Sequence, residues 1–166
     1  MTKMQDGDAT ATIAGAAGGT AAPRAEIVSQ YVKSVRLAVP GAPAVHAAPK
    51  ELPRLHLDLD VDARQVADGS PLFEVALVLR CQGRTPGEQV LYEADLAYAG
   101  LVSLRMAGGI AAPEVLEPLL LIDIPALLFP AARNLLADLT RDAGFPPVLM
   151  QAVDFAALQR ARRAAA

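Results

Sequence analysis

The stretch from Leu119 to Leu136, LLLIDIPALLFPAARNLL, limits the possible folds more than any other part of the chain. It is apolar enough to suggest a bilayer, yet it carries Asp123, Pro125, Pro130, Arg133 and Asn134. A membrane-spanning helix needs about 20 mostly apolar residues, with its backbone groups satisfied inside the segment. Asp123 and Pro125 interrupt the run almost at its start, so protein rather than lipid is expected to bury it. Pro125 and Pro130 each suit the first turn of a helix, where a missing N–H costs nothing. The pattern from Pro113 onward predicts a short helix over about 113–121 and a longer one through about residue 142. In the longer helix Leu128, Ala132, Leu135 and Leu139 recur at helical intervals, while Leu127 and Leu136 widen the apolar surface beyond one stripe. Such a helix needs more than one neighbour.

The chain before this segment alternates instead. LHLDLDVD, residues 55–62, puts Leu55, Leu57, Leu59 and Val61 on one side and His56, Asp58, Asp60 and Asp62 on the other. IVSQYVKSVRLAV, residues 27–39, gives Ile27, Tyr31, Val35, Leu37 and Val39 one parity, with Val28 and Val32 on the other. FEVALVLR, residues 73–80, opposes Phe73, Val75, Leu77 and Leu79 to Glu74 and Arg80. QVLYEADLAYAG, residues 89–100, opposes Val90, Tyr92, Ala94, Leu96 and Tyr98 to Glu93 and Asp95. Turn signals, PGAP at 40–43, ADGSP at 67–71 and GRTPGE at 83–88, separate these runs. Four strands with short connections predict an antiparallel sheet with one dry face and one acidic face. Strands are expected to stop near Gly100, leaving GLVSLRMAGG as an apolar loop or an irregular strand end. Pro146 and Pro147 make residues 143–153 a connector. Asp154 is a candidate N-cap for a last helix, FAALQRARR, with Arg160, Arg162 and Arg163 toward its C-terminal end. The expected fold class is α+β, a four-stranded antiparallel sheet with helices packed on one face.

At 166 residues the chain reads as one domain with a real core. Residues 1–24 are expected to be a disordered tail, 25–163 the domain, and 164–166 the C-terminal end. The N-terminal run imitates a signal peptide poorly, because Asp6 and Asp8 follow Lys3 and Ile13 stands alone among Ala, Gly and Thr. A net charge of −3 argues against nucleic-acid binding, which needs a clustered basic surface. Cys81 is the single cysteine, so no internal disulfide forms; its place in a strand suits a small core residue.

Catalytic chemistry is hard to place. His46, His56 and Cys81 are too scattered for a metal site. Asp58, Asp60 and Asp62 start like a calcium loop but lack its glycine and closing Glu. No glycine-rich phosphate loop or serine elbow is present, and His56 and Asp58 lie on the expected wet face. The expectation is no enzyme, no metal and no cofactor.

Several segments in order resemble one family. They are Tyr31 and Lys33 followed by PGAP, LDLDVDARQVADG, FEVALVLR, LYEADLAYAGLVSL, LLFPAAR at 127–133, and GFPPVLM followed by VDF at 153–155. Over about residues 27–160 the chain resembles SecB, the tetrameric bacterial chaperone that keeps precursor proteins unfolded for export. LFPAAR and GFPP are the most specific of these pieces. The resemblance implies an ATP-independent, cytoplasmic chaperone that delivers unfolded precursors to the SecA ATPase for export across the inner membrane. It also implies a homotetramer, a dimer of dimers with the long helices sandwiched between sheets, and no direct membrane insertion. Ala94, Leu96, Tyr98, Leu128 and Leu135 are then candidates for subunit contacts. Leu101, Val102, Leu104, Phe145, Val148, Leu149 and Phe155 are candidates for an apolar groove that holds clients. Glu93 and Asp95 are candidates for SecA docking on the acidic face. The family's usual acidic residues in the first strand are replaced here by Ser34 and Ala38, with Arg36 between them, and its acidic C-terminal tail by ARRAAA. Two alternatives remain: a SecB-like chaperone dedicated to a toxin–antitoxin pair, and a small acyl-ligand-binding protein or enzyme.

Overall fold

The fold is that of a computed structural model, which describes residues 12–13, 24–47, 52–105 and 112–165. Five strands form one antiparallel sheet: β1 Thr12–Ile13, β2 Arg24–Ala38, β3 Arg54–Gln65, β4 Leu72–Arg84 and β5 Val90–Arg105. Their spatial order is β1-β2-β5-β4-β3. The four long strands are those read from the alternating runs. β1 departs from the expected tail, because Thr12 and Ile13 pair with Glu26 and Ala25. The first long strand lies beside the last, so the connection after β2 crosses from one side of the sheet to the other. It begins with the PGAP turn and the short helix α1, Ala44–Ala47.

Cross-strand partners share a face, so the register sorts every side chain. Leu59, Leu79, Leu96 and Val35 form one row on the helix side, and Asp58, Arg80, Asp95 and Arg36 the next row on the outer side. In β2 the register shifts between Ile27 and Ser29 and again between Val32 and Ser34. Each unopposed residue, Val28 and Lys33, reverses the parity of the strand residues after it. The single-parity expectation for β2 is thereby corrected: Tyr31 moves to the outer face and Val32 joins Ile27, Val35 and Leu37 on the helix side. The expected stop near Gly100 is corrected too, since β5 runs on as regular strand to Arg105 with Val102 opposite Ile27 and Leu104 opposite Ala25. Residues 106–111 lie outside the described part.

The apolar segment is one continuous helical path, not two helices. α2 covers Pro113–Pro118, a π-type turn Leu119–Asp123, and α3 Ile124–Asp142. Pro125 has no N–H to give and its ring crowds the preceding turn, which favours widening over breakage. The Ile124 N–H accordingly reaches Leu119 O, five residues back, and Pro130 sits inside α3 without ending it. By length and hydropathy the path could cross a bilayer, but Ile124, Leu128, Phe129, Ala132 and Leu136 are buried. α3 contacts β4 and β5. A Cβ at Gly100 would come within 2.9 Å of Leu128 Cδ2, so this glycine sets how closely helix and sheet approach.

Gly144, at φ 86°, follows α3 in the left-handed conformation that ends helices. The buried Thr140 hydroxyl donates to Leu136 O at 3.1 Å and accepts from the Val148 N–H at 3.0 Å, which pins the proline-rich connector to the helix. Asp154 caps α4, Phe155–Ala165, as expected: its Oδ1 accepts from the Ala157 N–H at 2.9 Å. Arg162 of α4 then donates to Val61 O at 3.2 Å and pairs with Asp60, closing part of the β3 edge.

Candidate polypeptide-binding and docking surfaces

The outer face of the sheet is more evenly charged than its sequence suggests. Lys33, Arg36, Arg64, Arg80 and Arg84 answer Asp58, Glu74, Glu88, Glu93 and Asp95. The expected acidic face is therefore corrected to a charge-paired one. Two register neighbours of Asp95 are the arginines Arg36 and Arg80. Arg36 Nη1 lies 3.6 Å from Asp95 Oδ2 and 3.8 Å from Glu93 Oε2, while Arg80 pairs with Asp58 at 3.1 Å. Gln82 Nε2 donates to Glu93 Oε1 at 3.0 Å. Both residues expected to dock a partner, Glu93 and Asp95, thus share this face but are already engaged.

Glu74 sits toward the other end of the face at 9% exposure. Tyr31 Oη donates to its Oε2 at 3.1 Å, Arg64 Nη2 donates to the same oxygen at 3.0 Å, and Lys33 Nζ donates to Oε1. The hydrogen bonds from Arg64 and Lys33 hold this carboxyl down to about 2. Tyr31 reaches across β5 to do this, and the flip made by the Val28 bulge puts it there.

The helix side is incompletely covered. On β2, Val32, Val35 and Leu37 remain exposed, as does Leu127 on α3. Near β3, Leu52 is 81% exposed and Leu149 of the connector 77%, with Leu55 and Leu57 also open. Leu55 is opposite Gly83, and a Cβ at Gly83 would meet the Tyr92 ring. Phe145 stacks on Tyr92 at 4.8 Å and on His46 at 5.4 Å. Exposed apolar side chains therefore occur along β2 and along β3, and singly on α3 and the connector.

The candidate client residues divide. Leu149 is open, Leu101 and Phe145 are half-buried, and Val102, Leu104, Val148 and Phe155 are buried. Val102 and Leu104 are core because β5 continues past Gly100; Phe155 packs edge-on against Phe129 at 5.9 Å. Among the candidate subunit contacts, Ala94, Leu96 and Leu128 are fully buried in the protomer's own core. They face inward as expected, but Ala94 and Leu96 lie under α3 and Leu128 packs from α3 onto β5, so they offer no surface to a partner. Tyr98 and Leu135 are half-buried, and Tyr98 Oη donates to Gln30 Oε1 at 3.2 Å. The sequence reading missed Val32, Leu52, Leu55 and Leu57 as open surface.

Nothing here supports nucleophilic chemistry: burial pushes the Cys81 thiol up to about 11, and among the described residues no group of His, Cys, Asp or Glu is placed to hold a metal. The charge-paired outer face and the exposed apolar side chains at its margins are the surfaces this sheet presents. The family model for preprotein translocase subunit SecB matches residues 19–166.

The chain belongs to the SecB family.

Similar proteins include the protein-export protein SecB of Granulibacter bethesdensis, 42% identical across 97% of this chain and 94% of that one. The protein-export protein SecB of Acidiphilium cryptum is 40% identical across 81% and 86%. Among solved structures, a SecB-like chaperone of Mycobacterium tuberculosis in complex with an antitoxin peptide superposes with a TM-score of 0.63 at 18% identity, covering 78% of this chain and 90% of that one. That likeness supports the SecB fold, an α+β sheet with its helices on one face.

Proposed function

We propose that this protein is an ATP-independent holding chaperone for protein export. It binds unfolded precursor polypeptides in the cytoplasm and passes them to SecA, working as a dimer of dimers. The observation that carries this reading is the set of exposed apolar side chains along β2 and β3 on the helix side of one sheet. Those on β2 and α3, Val32, Val35, Leu37 and Leu127, suit burial against other copies. Tyr98 and Leu135 border the same cover. Leu52, Leu55, Leu57 and Leu149 suit extended clients. Phe145 is a secondary contact there; Leu101, opposite Glu74 on β4, lies on the outer face instead.

Magnitudes favour several weak contacts. Micromolar binding needs about 8 kcal/mol, whereas one well-buried apolar side chain contributes roughly 1.5–3 before the client's ordering cost. Repeating such contacts over four subunits raises effective concentration without demanding a client sequence. The relatives called protein-export proteins favour export over service to one antitoxin. Glu93 and Asp95 remain the SecA-facing carboxylates of the outer face, tempered here by Arg36.

Light scattering of a chemically unfolded precursor tests the reading. Suppression of aggregation at a fixed stoichiometry, without ATP and for several unrelated precursors, is expected. Suppression restricted to a single partner would point to a dedicated chaperone, and none at all would remove the holding function.

A further inference from the structure

One row of the outer face crosses all four long strands with alternating sign: Asp58 on β3, Arg80 on β4, Asp95 on β5 and Arg36 on β2. These side chains are between 47% and 69% exposed, so each remains available to a partner. Turned end for end, a row of signs −, +, −, + becomes +, −, +, −. It is its own complement. The centre of the face beside this row is made of short side chains, Val78 and Ala97 in the next row and Ala76 and Ala99 in the one after, which let a neighbour approach. A hollow of about 310 Å³ opens on the same face, lined by His56, Asp58, Arg80, Gln82 and Asp95.

We propose that the outer face stacks on the outer face of a second copy of this chain, about a twofold axis that runs parallel to the strands between β4 and β5. That axis reverses the order of the strands and keeps the rows in line. Asp58 then meets Arg36 of the second copy and Arg80 meets its Asp95, each contact occurring twice. Val78 meets Ala97, Ala76 meets Ala99, and none of the rows from His56 to Arg64 brings two like charges together. An axis across the strands would instead lay Asp58 on Asp58 and Arg80 on Arg80, which like-charge repulsion opposes. Arg36 of the second copy enters the hollow beside Asp58. Stacked sheets lie ~10 Å apart, within reach of facing Arg and Asp side chains. Four strands at ~4.8 Å and eight residue steps at ~3.4 Å give about 500 Å² per copy. The total of about 1,000 Å² is at the lower bound for a specific interface, so the stack is weak and reversible. It covers Glu93 and Asp95, and therefore it and any partner docking on those carboxylates exclude each other.

Sedimentation velocity over a concentration series up to about 0.5 mM protein, in about 20 mM and about 500 mM salt, tests the stack. A species of twice the mass of the high-salt assembly is expected to grow with concentration at low salt and to vanish at high salt. Asp58→Arg or Arg36→Asp, each at an exposed position, sets like charges against each other twice per stack. Either change should weaken the association at least about tenfold, leaving the high-salt assembly and the circular dichroism unchanged. Combining the two substitutions returns opposite signs across the axis and should restore the low-salt species. Asp58 and Arg36 lie on strands separated by β4 and β5, so rescue of one change by the other reports contact between copies rather than within one. Absence of the low-salt species from the unaltered protein overturns the proposal, as do single variants that associate normally or a double variant that stays apart.

Discussion

Replacing Glu74 with Gln should cost about 1–2 kcal/mol of stability at neutral pH, and the deficit should fade on acidification. The carboxylate is 9% exposed and takes donors from Tyr31, Lys33 and Arg64, so the node ties β2, β3 and β4 together across the outer face. Its pKa is lowered from 4.5 to about 2, chiefly by the Arg64 and Lys33 hydrogen bonds. Each pKa unit corresponds to about 1.4 kcal/mol, which caps the pH-dependent contribution near ~3 kcal/mol. The Lys33 and Arg64 side chains are 37% and 61% exposed, and solvent screening brings the figure down to about 1–2 kcal/mol. Because the folded pKa is the depressed one, the stabilisation is complete above the unfolded value and is lost as the pH falls through about 2. Urea denaturation of both proteins at one protein concentration, from neutral pH to about pH 3, isolates the term, because a fixed concentration holds any contribution from the proposed assembly constant. Glu74→Gln should show a lower midpoint at neutral pH and a converging midpoint in acid. Equal midpoints at neutral pH, or a gap that acid leaves intact, would refute the argument.

Gly100→Ala places a methyl 2.9 Å from Leu128 Cδ2 and should lower stability by about 1–3 kcal/mol through overpacking, read as a drop in Tm. Val35→Asp puts a charge on an exposed apolar strand position; sedimentation velocity should show smaller species with unchanged circular dichroism, and an unaltered assembly would remove β2 from the interface. Glu93→Lys with Asp95→Lys should weaken SecA binding in calorimetry while leaving aggregation suppression intact; parallel loss of both would dissolve the division between faces. Arg36→Ala releases the same two carboxylates and should shift SecA affinity the opposite way by severalfold, most visibly at low salt.

The four long strands were legible because their period matched their environment: Leu57, Leu59 and Val61 alternate with aspartates, and a single uncovered face enforces that pattern. β2 was misread in part because a bulge inserts one residue without leaving a compositional mark, so Tyr31 and Val32 exchange faces. Pro125 misled for a related reason. The residue that can open a helix is also tolerated in a continuous one when the turn before it widens. Candidate surface residues fared worst, since periodicity says which side chains share a face but not how far a helix extends over that face. Ala94 and Leu96 are covered because α3 lies over β4 and β5. Val35 and Leu37, with the same pattern, are bare because it stops short of β2.

That uneven cover bears on how such a protein exposes apolar surface without aggregating. An open strand edge is a template for uncontrolled pairing, and both margins of this sheet are guarded by different devices. Along β3, Arg162 occupies the Val61 carbonyl and Asp60. Along β2, Thr12 and Ile13 pair with the first residues, and unopposed residues at Val28 and Lys33 break the regular spacing that a foreign strand would need. The surface still on offer is made of side chains, Val32, Val35 and Leu37 at one margin and Leu52, Leu55, Leu57 and Leu149 at the other. Side-chain contacts are non-directional and individually weak, so an extended guest can be held in many registers and released without unzipping a hydrogen-bonded ladder. A chaperone that gripped by strand addition would be harder to empty, and on the proposed reading the guarded edges leave the exposed apolar side chains to do the holding.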